Sequence, residues 1–169
     1  DDLLALARLD DASGAVTLES VDLREVAEAA ARALRPAAEA ADVRIAIDAP
    51  WGTGATGNGA MIAQILRILL DNAVTYTHPG DTVTVSAARE GDHARLCVTD
   101  HGPGIAPADQ ARVFDRFYRA DPARARHSGG SGLGLAIARS LTRALGGEIE
   151  LESVPGAVTT VCITLPAAP

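Results

Sequence analysis

One stretch constrains this chain more than any other. Ser128-Gly129-Gly130-Ser131-Gly132-Leu133-Gly134 runs straight into an apolar, helix-forming segment, Leu133–Leu145. Four glycines fall within six residues there. Glycine lets the backbone take positive φ and come close to a ligand. A helix that begins at such a loop aims unpaired N–H groups, and the positive end of its dipole, into it. In physical terms that is a cradle for phosphate. A glycine-rich turn that only punctuates the chain has the same residues, so the weight falls on what accompanies it.

The 169 residues suffice for one domain, or one domain with a stub of another. Asp1–Arg8 has helical spacing through Leu3 and Leu6 but is too short to hold a helix in water alone. Residues 1–13 therefore read as the end of a longer upstream helix, and 14–169 as the domain. Val16–Leu18 is a short strand candidate. Asp22 can cap a helix from Leu23 to about Ala38, with Leu23, Val26, Ala30 and Leu34 on one face. Val43–Ile47 alternates like a half-buried strand, and Trp51–Gly57 is ambiguous. A second helix runs from its cap at Asn58 to Thr75, with Ile62, Ile65, Leu66, Leu69 and Ala73 as its core stripe. Two strands, Thr82–Ala88 and Arg95–Thr99, flank a hairpin turn. A long connection follows, with a short helix near Ala108–Arg112. After the glycine loop and its helix come two more strands, Glu148–Ser153 and Val158–Leu165. The order predicts an α+β fold: a two-layer sandwich of one mixed, mainly antiparallel sheet with its helices on a single face.

Charge and composition exclude several classes. The net charge is −7 and all 15 basic residues are Arg, which argues against nucleic-acid binding and rules out a lysine-dependent mechanism. No signal peptide or membrane-length apolar run occurs. Direct membrane contact by this domain is not expected, and the expected setting is cytoplasmic, either as a free protein or as the cytoplasmic part of a membrane-bound one. Cys97 and Cys162 lie in apolar runs without ligand spacing and read as buried thiols of a reducing compartment. None of the four histidines has the company of a phosphoacceptor or a metal ligand.

Three further segments carry chemistry. Asp100-His101-Gly102-Pro103-Gly104 follows a strand, so its carboxylate can accept from an exocyclic amino group while the glycines admit a flat ring. A turn closed by a capping Asp fits the same residues. Asn72 lies on the Asn58–Thr75 helix, where its amide is either bonded to a core-edge carbonyl or supplies a hard oxygen for Mg²⁺. Tyr76, one turn on, can cover a planar base or pack in the core. Phe114 and Phe117 can anchor a lid, residues 105–130, which is too long for an idle loop. Five arginines between Arg112 and Arg126 suit a polyphosphate, although a solvated basic loop would look alike.

Taken in order, the Asn72 helix, Asp100-x-Gly102-x-Gly104, Phe114–Phe117 and Gly130-x-Gly132-Leu133-Gly134 resemble the N, G1, F and G2 boxes of one family. It is the catalytic, ATP-binding domain of bacterial two-component sensor histidine kinases, part of the gyrase/MutL-type ATPase superfamily with its Bergerat-type fold. The resemblance spans roughly Val16–Leu165, and Leu3–Asp10 is similar to the last turns of the family's dimerisation helix. It implies that Asp100 holds the adenine amino group, with Gly102, Gly104 and Ile105 beside the base. Tyr76 would flank the adenine, and Asn72 would bind Mg²⁺ bridging the phosphates. Gly130, Ser131, Gly132, Leu133 and Gly134 would wrap the triphosphate, and Arg116 or Arg119 would reach the γ-phosphate. The implied reaction passes that phosphoryl group to a histidine on a dimerisation hairpin, in the same chain or another. A response regulator would be served indirectly, by a domain that is itself monomeric.

Two positions depart from the family's pattern. Ile68 stands where a second Asn is usual, one turn below Asn72, and Thr75 where Lys or Arg is common. Losing a charged phosphate contact costs roughly 1.5–3 kcal/mol, so ATP binding is expected to be weak and strongly Mg²⁺-dependent. The departures also support an alternative, a degenerate ATP-binding and partner-docking module without phosphotransfer. An anti-sigma-factor-type serine kinase shares the boxes, but the helix end at Leu3–Leu9 argues against it.

Overall fold

The computed structural model describes residues 17–120 and 131–169. The expected helix end at 1–13, Val16, and Gly130 of the cradle lie outside the described residues. The elements in chain order are β1 (Glu19–Asp22), α1 (Leu23–Ala40), β2 (Arg44–Asp48), β3 (Gly54–Gly57), α2 (Gly59–Tyr76), β4 (Thr82–Glu90) and β5 (His93–Asp100). Then follow α3 (Pro107–Gln110), α4 (Gly134–Ala144), β6 (Glu148–Val154) and β7 (Val158–Pro166). The main sheet has the order β2-β4-β5-β7-β6, antiparallel except for the parallel pair β2–β4.

Alternation decides which face of this sheet is covered. Val83, Val85 and Ala87 of β4, and Ala94, Leu96 and Val98 of β5, all point into the core. Their neighbours Thr82, Thr84, Ser86, Arg95, Cys97 and Thr99 point the other way and are only half-buried. The covered face packs against the central helix α2, whose Ile62, Ile65, Leu66 and Leu70 are fully buried. Asn58 caps α2 as expected, its Oδ1 accepting from the Met61 N–H at 3.1 Å. Asp22 caps α1 through Arg24 N–H at 2.8 Å and holds Gly52 N–H at 3.1 Å with its other oxygen.

Two expectations are corrected here. The first strand begins later than expected, at Glu19, and pairs antiparallel with the ambiguous stretch, whose β3 makes a separate two-stranded sheet. Neither half has an alternating pattern of its own; the pairing is what defines them. Cys97 and Cys162 are not free thiols. They stand opposite each other in the β5–β7 register and are joined in a disulfide. The apolar neighbours Leu96 and Ile163 belong to the inner row, whereas Cys97 and Cys162 face outward, and facing pairs of that kind are close enough to bridge.

Candidate functional site

A hollow of about 770 Å³ opens between α2, the ends of β5 and β7, the loop after β5 and the start of α4. Asn72, Tyr76, Asp100, Gly104, Ile105, Arg119, Ser131, Gly132 and Gly134 all line it. Residues as far apart in sequence as Gln64 and Val161 thus converge on one cavity. Three expected residues do not line it. Gly102 lies just behind, Arg116 is not part of the wall, and Leu133 is 2% exposed and turns into the core.

Asp100 ends the inward row Ala94, Leu96, Val98 of β5, which explains how a carboxylate comes to be 9% exposed. Burial pushes its pKa above the ordinary carboxylate value, opposed by the Gly102 N–H and by the positive field of His101 and His78. One carboxylate oxygen, Oδ1, accepts from Gly102 N–H at 2.9 Å. Its strand partner Thr159 is buried and lines the hollow too. Sequence reasoning missed Thr159, because only the β5–β7 register sets it opposite Asp100.

The glycines answer to the protein itself as well as to any ligand. A Cβ on Gly102 would stand 2.5 Å from the Tyr76 carbonyl oxygen, and one on Gly104 2.4 Å from that of Val154. Gly104 also has φ +69°, a conformation L side chains rarely adopt. The G1-like glycines therefore let the loop pack against α2 and the β6–β7 turn. At the other end, a Cβ on Gly132 (φ +71°) would press on the Phe117 backbone, 3.0 Å away. That packing is joined by the Phe117 N–H donating to the Gly132 carbonyl at 2.9 Å.

The two phenylalanines part company. Phe114 is buried beneath Arg139 of α4, whose guanidinium lies 5.7 Å from the ring centre, and it anchors the segment as expected. Phe117 does not: it is 64% exposed at φ 65°, and it is its backbone that meets Gly132. Tyr118 takes over part of the anchoring. Its hydroxyl donates to the Asp109 carboxylate and its ring carries the Arg112 guanidinium at 4.2 Å. That hydrogen bond to Asp109 raises the phenol's pKa.

Asn72 is half-buried in the wall, with no protein hydrogen bond to its amide among the described residues. A single amide oxygen suits Mg²⁺, which keeps its waters and shares phosphate oxygens; the residues present fit that ion in company with a polyphosphate. Ile68 and Thr75 both line the same wall. The Ile68 Cγ2 fills the space beside Gly134, 3.2 Å from where a Cβ would sit. Thr75 Oγ1 donates back to the Asp71 carbonyl at 2.7 Å. Arg67, unremarked in the sequence, lines the hollow as well. Its signal was there: 64, 67, 68, 71, 72, 75 and 76 form one stripe at helical spacing. Above it, α4 begins without a side-chain cap, so its first N–H groups face the glycine loop unspent by any capping side chain.

Comparison with known proteins agrees with this geometry. The model of the "Histidine kinase-, DNA gyrase B-, and HSP90-like ATPase" family matches residues 57–169. The chain is 39% identical over 166 residues to the sensor-like histidine kinase SenX3 of Mycobacterium tuberculosis, covering 98% of this chain and 40% of that protein. Thus it spans about two fifths of the length of the curated relatives it matches first. Among solved structures, full-length ShkA in complex with AMPPNP aligns with a TM-score of 0.85 at 31% identity, over 99% of this chain and 35% of that one. The mycobacterial sensor histidine kinase MprB aligns at 0.78 and 30% identity, over 90% of this chain and 99% of that one.

Proposed function

Because the chain belongs to the histidine kinase-, DNA gyrase B- and HSP90-like ATPase family, we propose that it binds Mg-ATP in this hollow and donates the γ-phosphoryl group to a histidine on a dimerisation hairpin. The hairpin lies in the same longer protein or in a separate chain. One observation carries the reading: Asp100, Asn72 and the Gly132–Gly134 loop, far apart in sequence, line a single cavity.

Asp100 is placed to accept from the adenine amino group with the carboxylate oxygen that Gly102 leaves unused. Tyr76 and Ile105 border the base. Ser131, Gly132 and Gly134, ahead of the uncapped N-terminus of α4, receive the phosphates. Gly130 belongs to the same cradle by its place in the sequence. Arg119 and Arg67 bring positive charge to that end, and Arg116 is the lid's second candidate for the γ-phosphate. Asn72 would hold Mg²⁺, which supplies charge neutralisation between the phosphates when bound. Little covalent work falls to the protein in such a transfer; positioning and electrostatics do most of it. The neighbour ShkA, solved with AMPPNP, supports an adenine nucleotide as the occupant. A response regulator would be the downstream partner, on the side of the membrane that holds ATP. No helix among the described residues is long and apolar enough to cross a membrane.

Incubation with Mg²⁺, γ-labelled ATP and a histidine-bearing hairpin tests the proposal. Acid-labile label on the hairpin is the expected result. Binding without transfer would favour the degenerate docking module that Ile68 and Thr75 also suit, and acid-stable phosphoserine a serine kinase.

A further inference from the structure

The loop that borders the base cannot hold its own shape. Between β5 and α3 it has no regular structure, and α3 is four residues long with no side-chain cap. A helix of that length is not self-supporting. Something outside must fix the loop.

Two side chains that do not line the hollow meet the loop from behind. The Gln110 Nε2 donates to the Ile105 carbonyl at 2.9 Å and to the Ser153 carbonyl at 2.9 Å. Two carbonyl oxygens around one amide atom identify that atom as the nitrogen, since the amide oxygen would repel both. Ser153 Oγ accepts from Ile105 N–H at 2.9 Å. The same hydroxyl meets the Val158 carbonyl at 3.0 Å and Thr159 Oγ1 at 2.8 Å. Both backbone polar groups of Ile105 are therefore held, one by Gln110 and one by Ser153. The β6–β7 turn adds a third tie, Gly156 N–H donating to the Pro103 carbonyl at 2.7 Å.

We propose that Gln110 is a positioning residue for the nucleotide: with Ser153 it clasps the Ile105 backbone to the end of β6 and so sets the wall against which the base lies. This rests on the Mg-ATP reading above. Gln110 is not part of the wall of the hollow; it acts through Ile105, which lines it in the loop that follows Asp100. Because the clasp acts at the base, its loss weakens every adenine nucleotide alike, whatever the number of phosphates.

Gln110→Met keeps length and removes both donors; Ser153→Ala opens the other half of the clasp. Calorimetry with Mg-ATP, Mg-ADP and AMP is paired with amide hydrogen exchange at Ile105 in the nucleotide-free protein. Each variant is expected to weaken all three nucleotides by a similar factor, about tenfold for bonds of this class. Exchange at the Ile105 amide should quicken in both, with the melting temperature close to the parent's. Unchanged affinity in both variants overturns the proposal, whatever the exchange shows, and so does a loss confined to ATP with AMP spared. If the parent itself binds none of the three, the Mg-ATP reading fails, a result distinct from parent binding that neither substitution weakens.

Discussion

Asp100 sets stability against binding within a single side chain. Its carboxyl is held out of water, so the folded chain keeps it protonated to higher pH than the unfolded chain does. The folded state is favoured below the ordinary Asp range and loses that advantage as pH rises through the raised value. Asp100→Asn cannot ionise. It should be at least as stable as the parent at neutral pH in thermal melts, and should show no loss of stability across that window. Its affinity for ATP should fall by roughly 1.5–3 kcal/mol, ten- to a hundredfold, because one neutral amide must serve both Gly102 and the base. In the parent, ATP affinity should decline as acid protonates Asp100; affinity that stays level into the acid range would contradict its role. Ile68 and Thr75 make the opposite kind of case. Both line the hollow, and neither brings it charge. Ile68→Asn and Thr75→Lys should each tighten Mg-ATP binding in calorimetry, Ile68→Asn at some cost in packing beside Gly134. No change in either would remove these positions from the account of affinity.

Among the elements, the β5–β7 pair joins the two kinds of duty. Its inner row builds the core and ends in Asp100 opposite Thr159; its outer row carries the disulfide. The cysteines are 65 residues apart, a closure that typically stabilises by about 2–4 kcal/mol. Reduction, or Cys97→Ser with Cys162→Ser, should lower the denaturation midpoint accordingly. ATP affinity should change little, since the bridge lies on the face away from the hollow. The loop after β5 answers to different physics. Gly104→Ala would force both a strained φ and a 2.4 Å contact with Val154 O, and should cost about 1–3 kcal/mol in chemical denaturation. Nucleotide affinity should fall with it as the β6–β7 turn is pushed off the loop.

At the scale of the whole molecule the hollow exists only when α2, β5, β7 and the cradle are assembled, so ligand binding is coupled to folding. Mg-ATP at a hundredfold excess over its Kd should raise stability by about 2.7 kcal/mol, seen as a melting temperature that climbs with nucleotide. Asp100→Asn should blunt that rise. The architecture itself was legible beforehand: helical stripes placed α1 and α2, an apolar run behind the glycines placed α4, period-two alternation placed β2, a hairpin turn between two strands placed β4 and β5, and the expected sheet and its one-sided helices are those observed. Local pattern gave less at Trp51–Gly57, where β3 exists through pairing with β1, and at Cys97, where an apolar neighbourhood concealed an outward-facing residue.

By itself the chain's order of residues determined which chemical groups were available and where they stood along helices and strands: Asn72 on a helix face, Asp100 at a strand end, glycines before a helix. Those are consequences of local periodicity and backbone freedom, which operate over a few residues. Only the tertiary structure decided that Thr159 stands opposite Asp100, that Leu133 turns inward, that Phe117 faces solvent, and that Gln110 and Ser153 clasp Ile105. Each of these depends on strand register or on contact between segments distant in sequence, and such contacts are fixed by packing, which no local pattern encodes.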